Sequence, residues 1–168
     1  MKEYNIVLIG LMGCGKTTVG HAYAKRYGLS FVDLDELIEK KEGKKISDIF
    51  AEFGEDYFRE LESQVIFEIS SVKNTIISTG GGILERENNL FNLKKIGTLI
   101  YLKASVDTLF ERLKDDNKRP LLQCDNPKEK LLELLEKREK NYLCADIIIN
   151  AENPIKNVIE EINEKIKS

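Results

Sequence analysis

Short apolar runs alternate along this chain with longer segments in which apolar residues recur every three or four positions. Such runs are typical of strands buried in a parallel sheet, and the longer spacing is typical of helices that cover a sheet. The predicted strands cover residues 6–9, 30–33, 75–78, 98–102 and 147–149. Because repeated strand–helix alternation produces parallel strands, the pattern predicts an α/β fold with a five-stranded parallel sheet and helices on both of its faces.

The segments between these strands predict helices and one long polar break. The predicted helices cover residues 19–27, 35–41, 46–53, 58–72, 90–94, 106–113, 127–142 and 154–167. The polar break covers residues 114–126. No internal repeat, low-complexity tract or linker interrupts the alternation, so we expect one domain over residues 1–168.

A glycine-rich segment, residues 10–17, lies between the first predicted strand and the first predicted helix. It matches the phosphate-binding pattern G-x-x-x-x-G-K-[ST] without a gap. Its glycines allow a tight turn that aims backbone N–H groups at phosphate oxygens, and the next helix adds its positive end. Lys16 can reach the β- and γ-phosphates, and Thr17 offers a hydroxyl to Mg²⁺. The alternative, a glycine-rich turn with a surface lysine, does not require the flanking strand and helix, so we predict a nucleotide phosphate site.

Charge and cysteine content narrow the class of protein. The chain carries 26 Lys and Arg against 29 Asp and Glu, a net charge of −3, so it has no basic footprint for nucleic acid. No stretch is apolar enough to span a bilayer or to act as a secretory signal, so no membrane partner is expected. The three cysteines, Cys14, Cys124 and Cys144, show no metal-binding spacing and cannot all pair. We therefore expect a cytoplasmic protein without zinc.

Two aspartates, Asp33 and Asp35, lie where the second predicted strand meets its helix. The carboxyl ends of parallel strands face the ligand crevice, and side chains two positions apart share a face. One carboxylate could serve metal-bound water and the other a substrate hydroxyl. The alternative that Asp35 only caps the helix beginning at Glu36 stays open. The third strand ends in Ser78 and Thr79 rather than in a carboxylate, which favours Asp33 on the metal side.

Three consecutive glycines, Gly80, Gly81 and Gly82, follow the third predicted strand. Such a run costs backbone entropy and leaves nothing to pack, so we expect another group to approach the backbone closely. A ligand hydroxyl or carboxylate on exposed N–H groups would account for it. A wide turn beside a neighbouring helix is the alternative.

Arginine is scarce relative to lysine, and its planar guanidinium binds carboxylate and phosphate through paired hydrogen bonds. Arg119 lies in the polar break, which could fold over a nucleotide as a lid. Arg59 and Arg138 lie on predicted helices that could each present a side chain to a cleft. Each arginine alone is more typical of a solvated surface, but together they favour an anionic substrate.

Several of these segments together resemble one enzyme family. They cover residues 10–17, 31–35, 46–50, 54–62, 78–82, 119–122 and 137–142. Their order and spacing are similar to those of the shikimate kinases over essentially the whole chain. The phosphate-binding loop is shared by many families, but the Asp-x-Asp pair, the Phe-Arg-x-x-Glu segment, the triple glycine and the Arg-Pro-Leu-Leu segment are specific in combination.

The resemblance implies a three-layer P-loop kinase fold and ATP- and Mg²⁺-dependent phosphorylation of the 3-hydroxyl of shikimate, a step toward the aromatic amino acids. It implies a substrate-binding helical segment over residues 34–62 and a lid over residues 113–126. The implied catalytic residues are Lys16, Asp35 and Arg119. Asp35 would orient the attacking hydroxyl, and Arg119 would reach the transferred phosphoryl group from the lid.

The binding residues implied by the resemblance form three groups. The shikimate contacts are Asp35, Arg59, Gly80, Gly81, Gly82 and Arg138, with the two arginines on the carboxylate. The ATP contacts are Gly13, Cys14, Gly15, Lys16, Thr17, Thr18, Arg112, Arg119 and Asn153. The Mg²⁺ contacts are Thr17 directly and Asp33 through water.

Other kinases and a regulatory nucleotide-binding domain share part of this pattern. A sugar acid kinase or a nucleoside monophosphate kinase would share the loop and lid, but the triple glycine and the Asp-x-Asp pair argue against both. A nucleotide-binding regulatory domain would not need Arg119. Cys14 is a candidate reactive thiol or simply a small residue that fits the loop. His21 is interpreted as a packing residue, and a monomer is expected.

Overall fold

The computed structural model describes residues 4–116 and 123–168. Its strands are β1 (Ile6–Ile9), β2 (Ser30–Asp33), β3 (Thr75–Ser78), β4 (Thr98–Lys103) and β5 (Ile147–Asn150). They form one sheet with the order β2-β3-β1-β4-β5, and every neighbouring pair is parallel. The predicted α/β class and the five parallel strands are confirmed.

Helices flank this sheet and make up most of the remaining structure. They are α1 (Lys16–Tyr27), α2 (Leu34–Glu42), α3 (Ile46–Phe53), α4 (Glu55–Glu68), α5 (Glu87–Ile96), α6 (Val106–Leu113), α7 (Pro127–Tyr142) and α8 (Ile155–Lys167). A short 3₁₀ helix covers Ile83–Glu85. Within the described ranges, no helix has the length and apolar character needed to cross a membrane.

The central position of β1 explains why its sequence is apolar throughout. All of its residues are buried, and Leu8 pairs with Ser78 on one side and with Ile100 on the other. The edge strands β2 and β5 are partly exposed. Burial therefore follows position in the sheet, since β1, β3 and the middle of β4 have neighbours on both sides and are buried.

The strand order creates a crevice at the carboxyl end of the central strand β1. The connection from β1 runs past β3 to the β2 edge, whereas the connection from its other neighbour, β4, runs the opposite way to β5. Ligands in open α/β sheets bind where neighbouring connections diverge in this way. The two loops that meet there are the glycine-rich residues 10–17 and the triple glycine after Ser78.

Several element boundaries differ from those predicted. Helix α1 begins at Lys16 rather than at residue 19, because Gly15 takes a left-handed conformation and leads directly into the helix. Helix α4 covers Glu55–Glu68 rather than residues 58–72. Helix α5 is longer than predicted because Asn89, a polar residue inside it, is buried and donates a hydrogen bond of 2.9 Å to the carbonyl of Ile83. The 3₁₀ helix was not predicted.

Candidate active site

The loop formed by residues 10–17 has a backbone that only glycine adopts readily at three positions. Gly10, Gly13 and Gly15 have φ values of 146°, 83° and 98°. A Cβ atom at Gly10 would also lie 2.8 Å from both the Cys14 sulfur and the Leu102 carbonyl oxygen. The loop is therefore fixed by its glycines at the amino end of α1, where backbone N–H groups and the helix dipole favour an anion.

Lys16 lies across this loop. Its Nζ atom donates hydrogen bonds to the carbonyl oxygens of Gly10 at 2.7 Å and Leu11 at 3.3 Å, and it lies 3.6 Å from the Cys14 sulfur. The side chain is buried, so its charge acts in a partly water-excluded site. A buried ammonium beside inward-facing N–H groups is suited to phosphate oxygens.

Thr17 and Asp33 join the phosphate loop to β2. The Thr17 hydroxyl donates to Oδ2 of Asp33 at 2.9 Å, and Oδ1 of Asp33 accepts from the backbone N–H groups of Asp35 and Glu36. Asp33 is thus the N-cap of α2, so the alternative that Asp35 is the cap is wrong. A hydroxyl and a carboxylate side by side are oxygen ligands of the type that Mg²⁺ prefers, which makes the pair a fitting site for this ion.

A second cluster lies across the crevice, around the triple glycine. A Cβ atom at Gly80 would lie 2.9 Å from Oδ1 of Asp35 and 2.9 Å from Oε1 of Glu62. Burial raises the pKa of Glu62 to about 7, against the opposing effect of Arg59 and with the help of Asp35. Two carboxylates therefore approach the Gly80 backbone, and one of them is held partly protonated near neutral pH.

Arg59 lies flat against Gly82, the last glycine of the run. Its Nη1 atom is 2.7 Å from Glu62, its Nη2 atom 3.2 Å from Glu55, and its Nε atom 3.3 Å from Glu85. A Cβ atom at Gly82 would lie 2.4 Å from Nη2. Gly80 and Gly82 are thus required by side chains of α2 and α4, as the alternative of a wide turn beside a neighbouring helix expects, and a ligand on the backbone N–H groups stays a prediction.

Arg138 on α7 meets Arg59 at the same carboxylate. Its Nε and Nη2 atoms lie 2.9 and 2.8 Å from Oε1 of Glu85, and the side chain is buried. Burial disfavours ionisation of Glu85, but the guanidinium groups of Arg59 and Arg138 outweigh it and hold its pKa below the ordinary value. Two buried arginines from different helices therefore converge on one carboxylate.

Arg112 on α6 connects the phosphate loop with the segment that follows β5. It donates to the carbonyl oxygens of Gly13 and Cys14 at 3.3 Å each, and to the Ala151 carbonyl at 2.8 Å. In the same segment, Glu152 accepts hydrogen bonds from Ser105 and Thr108, which lower its pKa to about 2. The walls of the crevice are thus tied together on its α6 side.

Most of the residues predicted for the site line one cavity of about 420 Å³. These are Gly13, Cys14, Gly15, Lys16, Thr17, Thr18, Asp33, Asp35, Gly80, Gly81, Arg112 and Asn153. Arg59, Gly82 and Arg138 adjoin this cavity beyond the glycine run. Arg119 lies outside the described residues.

Outside the site, the His21 ring lies 3.8 Å from that of Phe31, which accords with a packing role.

Two acidic residues of the site received no role from the sequence, although Glu62 is the glutamate of the Phe-Arg-x-x-Glu segment. Glu62 follows Arg59 by three positions on α4, and that spacing alone could have indicated their ion pair. Glu85 shows no sequence signal, because it lies on an unpredicted 3₁₀ turn and meets its arginines only in the folded chain.

Comparison with known proteins gives a consistent result. The sequence model of the family described as shikimate kinase matches residues 12–167. A shikimate kinase of Thermodesulfovibrio yellowstonii is 49% identical over 162 residues, which cover 96% of this chain and 92% of that protein. A shikimate kinase of Persephonella marina is 49% identical over 160 residues, covering 95% of each chain.

A solved structure, that of the Acinetobacter baumannii shikimate kinase in complex with shikimate, superposes with a TM-score of 0.93. It is 38% identical, and the match covers 97% of this chain and 92% of that one. The three-layer P-loop kinase fold implied by the resemblance is therefore confirmed, and members of the family use ATP as co-substrate with Mg²⁺. The chain belongs to the shikimate kinase family.

Proposed function

We propose that this chain transfers the γ-phosphoryl group of ATP to the 3-hydroxyl of shikimate, with Mg²⁺ as the metal. One observation carries this proposal beyond the family assignment. Arg59 and Arg138 converge on a carboxylate beside the phosphate-binding loop, and this is the arrangement that a carboxylic acid substrate of a kinase needs. The Acinetobacter enzyme was solved with shikimate bound.

Substrate binding is assigned to the cluster around the triple glycine. Arg59 and Arg138 hold the carboxylate of shikimate, and the backbone N–H groups of residues 80–82 face its ring. Asp35 accepts a hydrogen bond from the attacking hydroxyl and orients it toward the phosphate loop, whose cavity it lines. A carboxylate in that position supports attack by orientation and by accepting the proton as the new P–O bond forms.

Nucleotide binding is assigned to the opposite wall of the cavity. Residues 13–18 hold the phosphates through backbone N–H groups, and Lys16 turns its ammonium from the loop carbonyls to the phosphate oxygens. Arg112 and Asn153 frame the base, and Arg119 acts on the transferring group. Positive charge and alignment are the main requirements of phosphoryl transfer, because the protein performs little covalent chemistry in this reaction.

Metal binding is assigned to the Thr17–Asp33 pair. Thr17 would hold Mg²⁺ through its hydroxyl, and Asp33 would hold it through water while continuing to cap α2. Bound there, Mg²⁺ would neutralise charge on the β- and γ-phosphate oxygens.

The larger organisation is also part of the proposal. Residues 1–168 act as one domain, in which residues 34–62 carry the substrate contacts and residues 113–126 form a lid that excludes water. We propose that the protein acts as a cytoplasmic monomer.

A coupled assay of ADP release tests the proposal, with shikimate, quinate, gluconate and nucleoside monophosphates as acceptors. We expect turnover with shikimate, and its loss in Arg138→Met but not in the matched variant Arg86→Met, since Arg86 pairs with Glu60 at the surface. Turnover with gluconate or a nucleotide alone would assign the site to a different acceptor. ATP binding without turnover of any acceptor would indicate a regulatory nucleotide-binding protein.

A further inference from the structure

The carboxylate of Glu85 occupies the place between the two arginines that a substrate carboxylate requires. Its Oε1 atom accepts from Nε and Nη2 of Arg138, and its Oε2 atom lies 3.3 Å from Nε of Arg59. Each oxygen of Glu85 thus serves one guanidinium. Charge-assisted contacts between guanidinium and carboxylate groups are stronger than neutral hydrogen bonds.

The charges around the arginines leave little room for one more anion. Arg59 already contacts Glu62 and Glu55 through its other two nitrogens, and Glu62 is 1% exposed. A substrate carboxylate would be the fourth acidic group, beside Glu55, Glu62 and Glu85, on two buried guanidiniums. Like charges at such distances repel strongly where water is scarce, so one acidic group has to move away.

Of these three acidic groups, Glu85 is the one that contacts both arginines and still reaches the surface, since Glu55 contacts Arg59 alone. Its side chain is 17% exposed, and it lies on the last residue of the 3₁₀ helix, where Arg86 returns to an extended backbone. Lys137 lies 3.8 Å from Oε1 of Glu85 and is 67% exposed. Glu85 can therefore pair with Lys137 at the surface when it leaves the arginines. Glu62 is buried and has no such surface partner.

We propose that Glu85 is a specificity-determining residue: it holds Arg59 and Arg138 as an internal counter-ion and moves outward toward Lys137 when the substrate carboxylate binds. This inference rests on the proposed function and adds a step to it. An anion enters only if it pairs with both arginines better than Glu85 does, so simple anions such as sulfate are kept out. The cost is weaker binding of the substrate itself, because only the fraction of molecules with Glu85 displaced is competent to bind.

Kinetic comparison of Glu85→Gln and Glu85→Ala with the wild type tests this. We expect the KM for shikimate to fall by about tenfold, as it would if about a tenth of wild-type molecules were competent. The KM for ATP stays unchanged, and inhibition by sulfate, competitive with shikimate, becomes stronger. Glu87→Gln is the matched control, since Glu87 carries the same charge on the exposed first turn of α5, and its kinetics should equal those of the wild type. A KM for shikimate that is unchanged or raised in the Glu85 variants overturns the inference.

A second variant keeps the test informative if the Glu85 variants fold poorly. Lys137→Met removes the outward partner at an exposed position and should raise the KM for shikimate by about threefold, because the displaced state is less populated. An unchanged or lower KM would contradict the outward movement. Failure of the proposed function can be distinguished from failure of this inference, because it would appear as absence of shikimate turnover by the wild type.

Discussion

Arg59 and Glu62 lie three residues apart on α4 and form an ion pair of 2.7 Å that is almost closed to solvent, with side chains 9% and 1% exposed. The same arginine packs on Gly82 and contacts Glu85. Substrate binding and folding stability therefore depend on one side chain, and changes at Arg59 affect both.

Arg59→Ala is expected to lose stability as well as substrate affinity. It leaves Glu62 buried without its cation, a situation that costs about 3–5 kcal/mol of unfolding free energy. The KM for shikimate should rise while that for ATP stays close to the wild-type value. Thermal unfolding and steady-state kinetics measure the two effects. Arg26→Ala is the control, since Arg26 forms an exposed pair with Glu160 and its loss should cost about 1 kcal/mol or less.

The double variant Arg59→Met/Glu62→Leu separates stability from binding. Replacing both partners of a buried pair by apolar side chains is often neutral, so stability should return while shikimate binding stays lost. Recovery of shikimate binding in the double variant would exclude Arg59 as the carboxylate ligand.

Gly82→Ala is expected to weaken shikimate binding without a change in the backbone. The φ value of Gly82 is −97°, which alanine adopts, but its Cβ atom would lie 2.4 Å from Nη2 and 2.6 Å from Cζ of Arg59. The guanidinium would have to move, and a displacement of about 1 Å at such a site can cost up to about a hundredfold in activity. We expect a higher KM for shikimate and an unchanged KM for ATP, and a normal KM for shikimate would show that the position of Arg59 is not critical.

Substitutions at Asp33 and Asp35 should have different effects, because Asp33 caps α2 and Asp35 is assigned a catalytic role. Asp33→Ala removes the N-cap of α2 and should cost about 1 kcal/mol, and it should raise the Mg²⁺ concentration needed for half-maximal activity. Asp35→Asn should keep the melting temperature and lower kcat by about a hundredfold or more. Mg²⁺ titrations, kcat and thermal melts measure these effects. Near-normal turnover of Asp35→Asn would remove its catalytic role.

The raised pKa of Glu62 predicts a pH dependence of stability. Burial takes this pKa from its ordinary value of 4.5 to about 7 in the folded chain. Below pH 4.5 the group is protonated in both states, whereas between pH 4.5 and 7 only the folded chain keeps the proton. The free energy of unfolding should therefore fall over that interval, by up to about 3 kcal/mol, and then level off.

Glu62→Gln should remove this fall, as measured by urea unfolding at several pH values. Glu60→Gln is the matched control, because Glu60 lies on the same helix with an exposed side chain and should keep the wild-type slope. Glu85 and Glu152 have lowered pKa values, so their contributions change below pH 4.5 rather than in this interval. A parallel pH profile of wild type and Glu62→Gln would show that Glu62 ionises normally.

Features that depend on neighbouring residues were predictable from the sequence. The phosphate loop, with its strand before and helix after, needs only the glycines and Lys16 within a short segment. The parallel sheet follows from apolar runs alternating with helical spacing. The N-cap of α2 did not follow, because the sequence offered only Asp35 and the structure assigns the cap to Asp33. Arg59 and Arg138 were named as carboxylate ligands through the family resemblance, while their convergence is a property of the folded chain.

The carboxylate environment of the two arginines was decided by tertiary structure alone. Arg138 and Glu85 are far apart in sequence and meet because α7 packs beside the 3₁₀ helix. The pKa of Glu62 depends on how far the packing of α4 excludes water and on how close Asp35 lies. Neither can be inferred from the spacing of residues along the chain. Local order sets the backbone of the nucleotide site, because its determinants are contiguous, whereas burial and charge pairing arise only when distant segments are brought together.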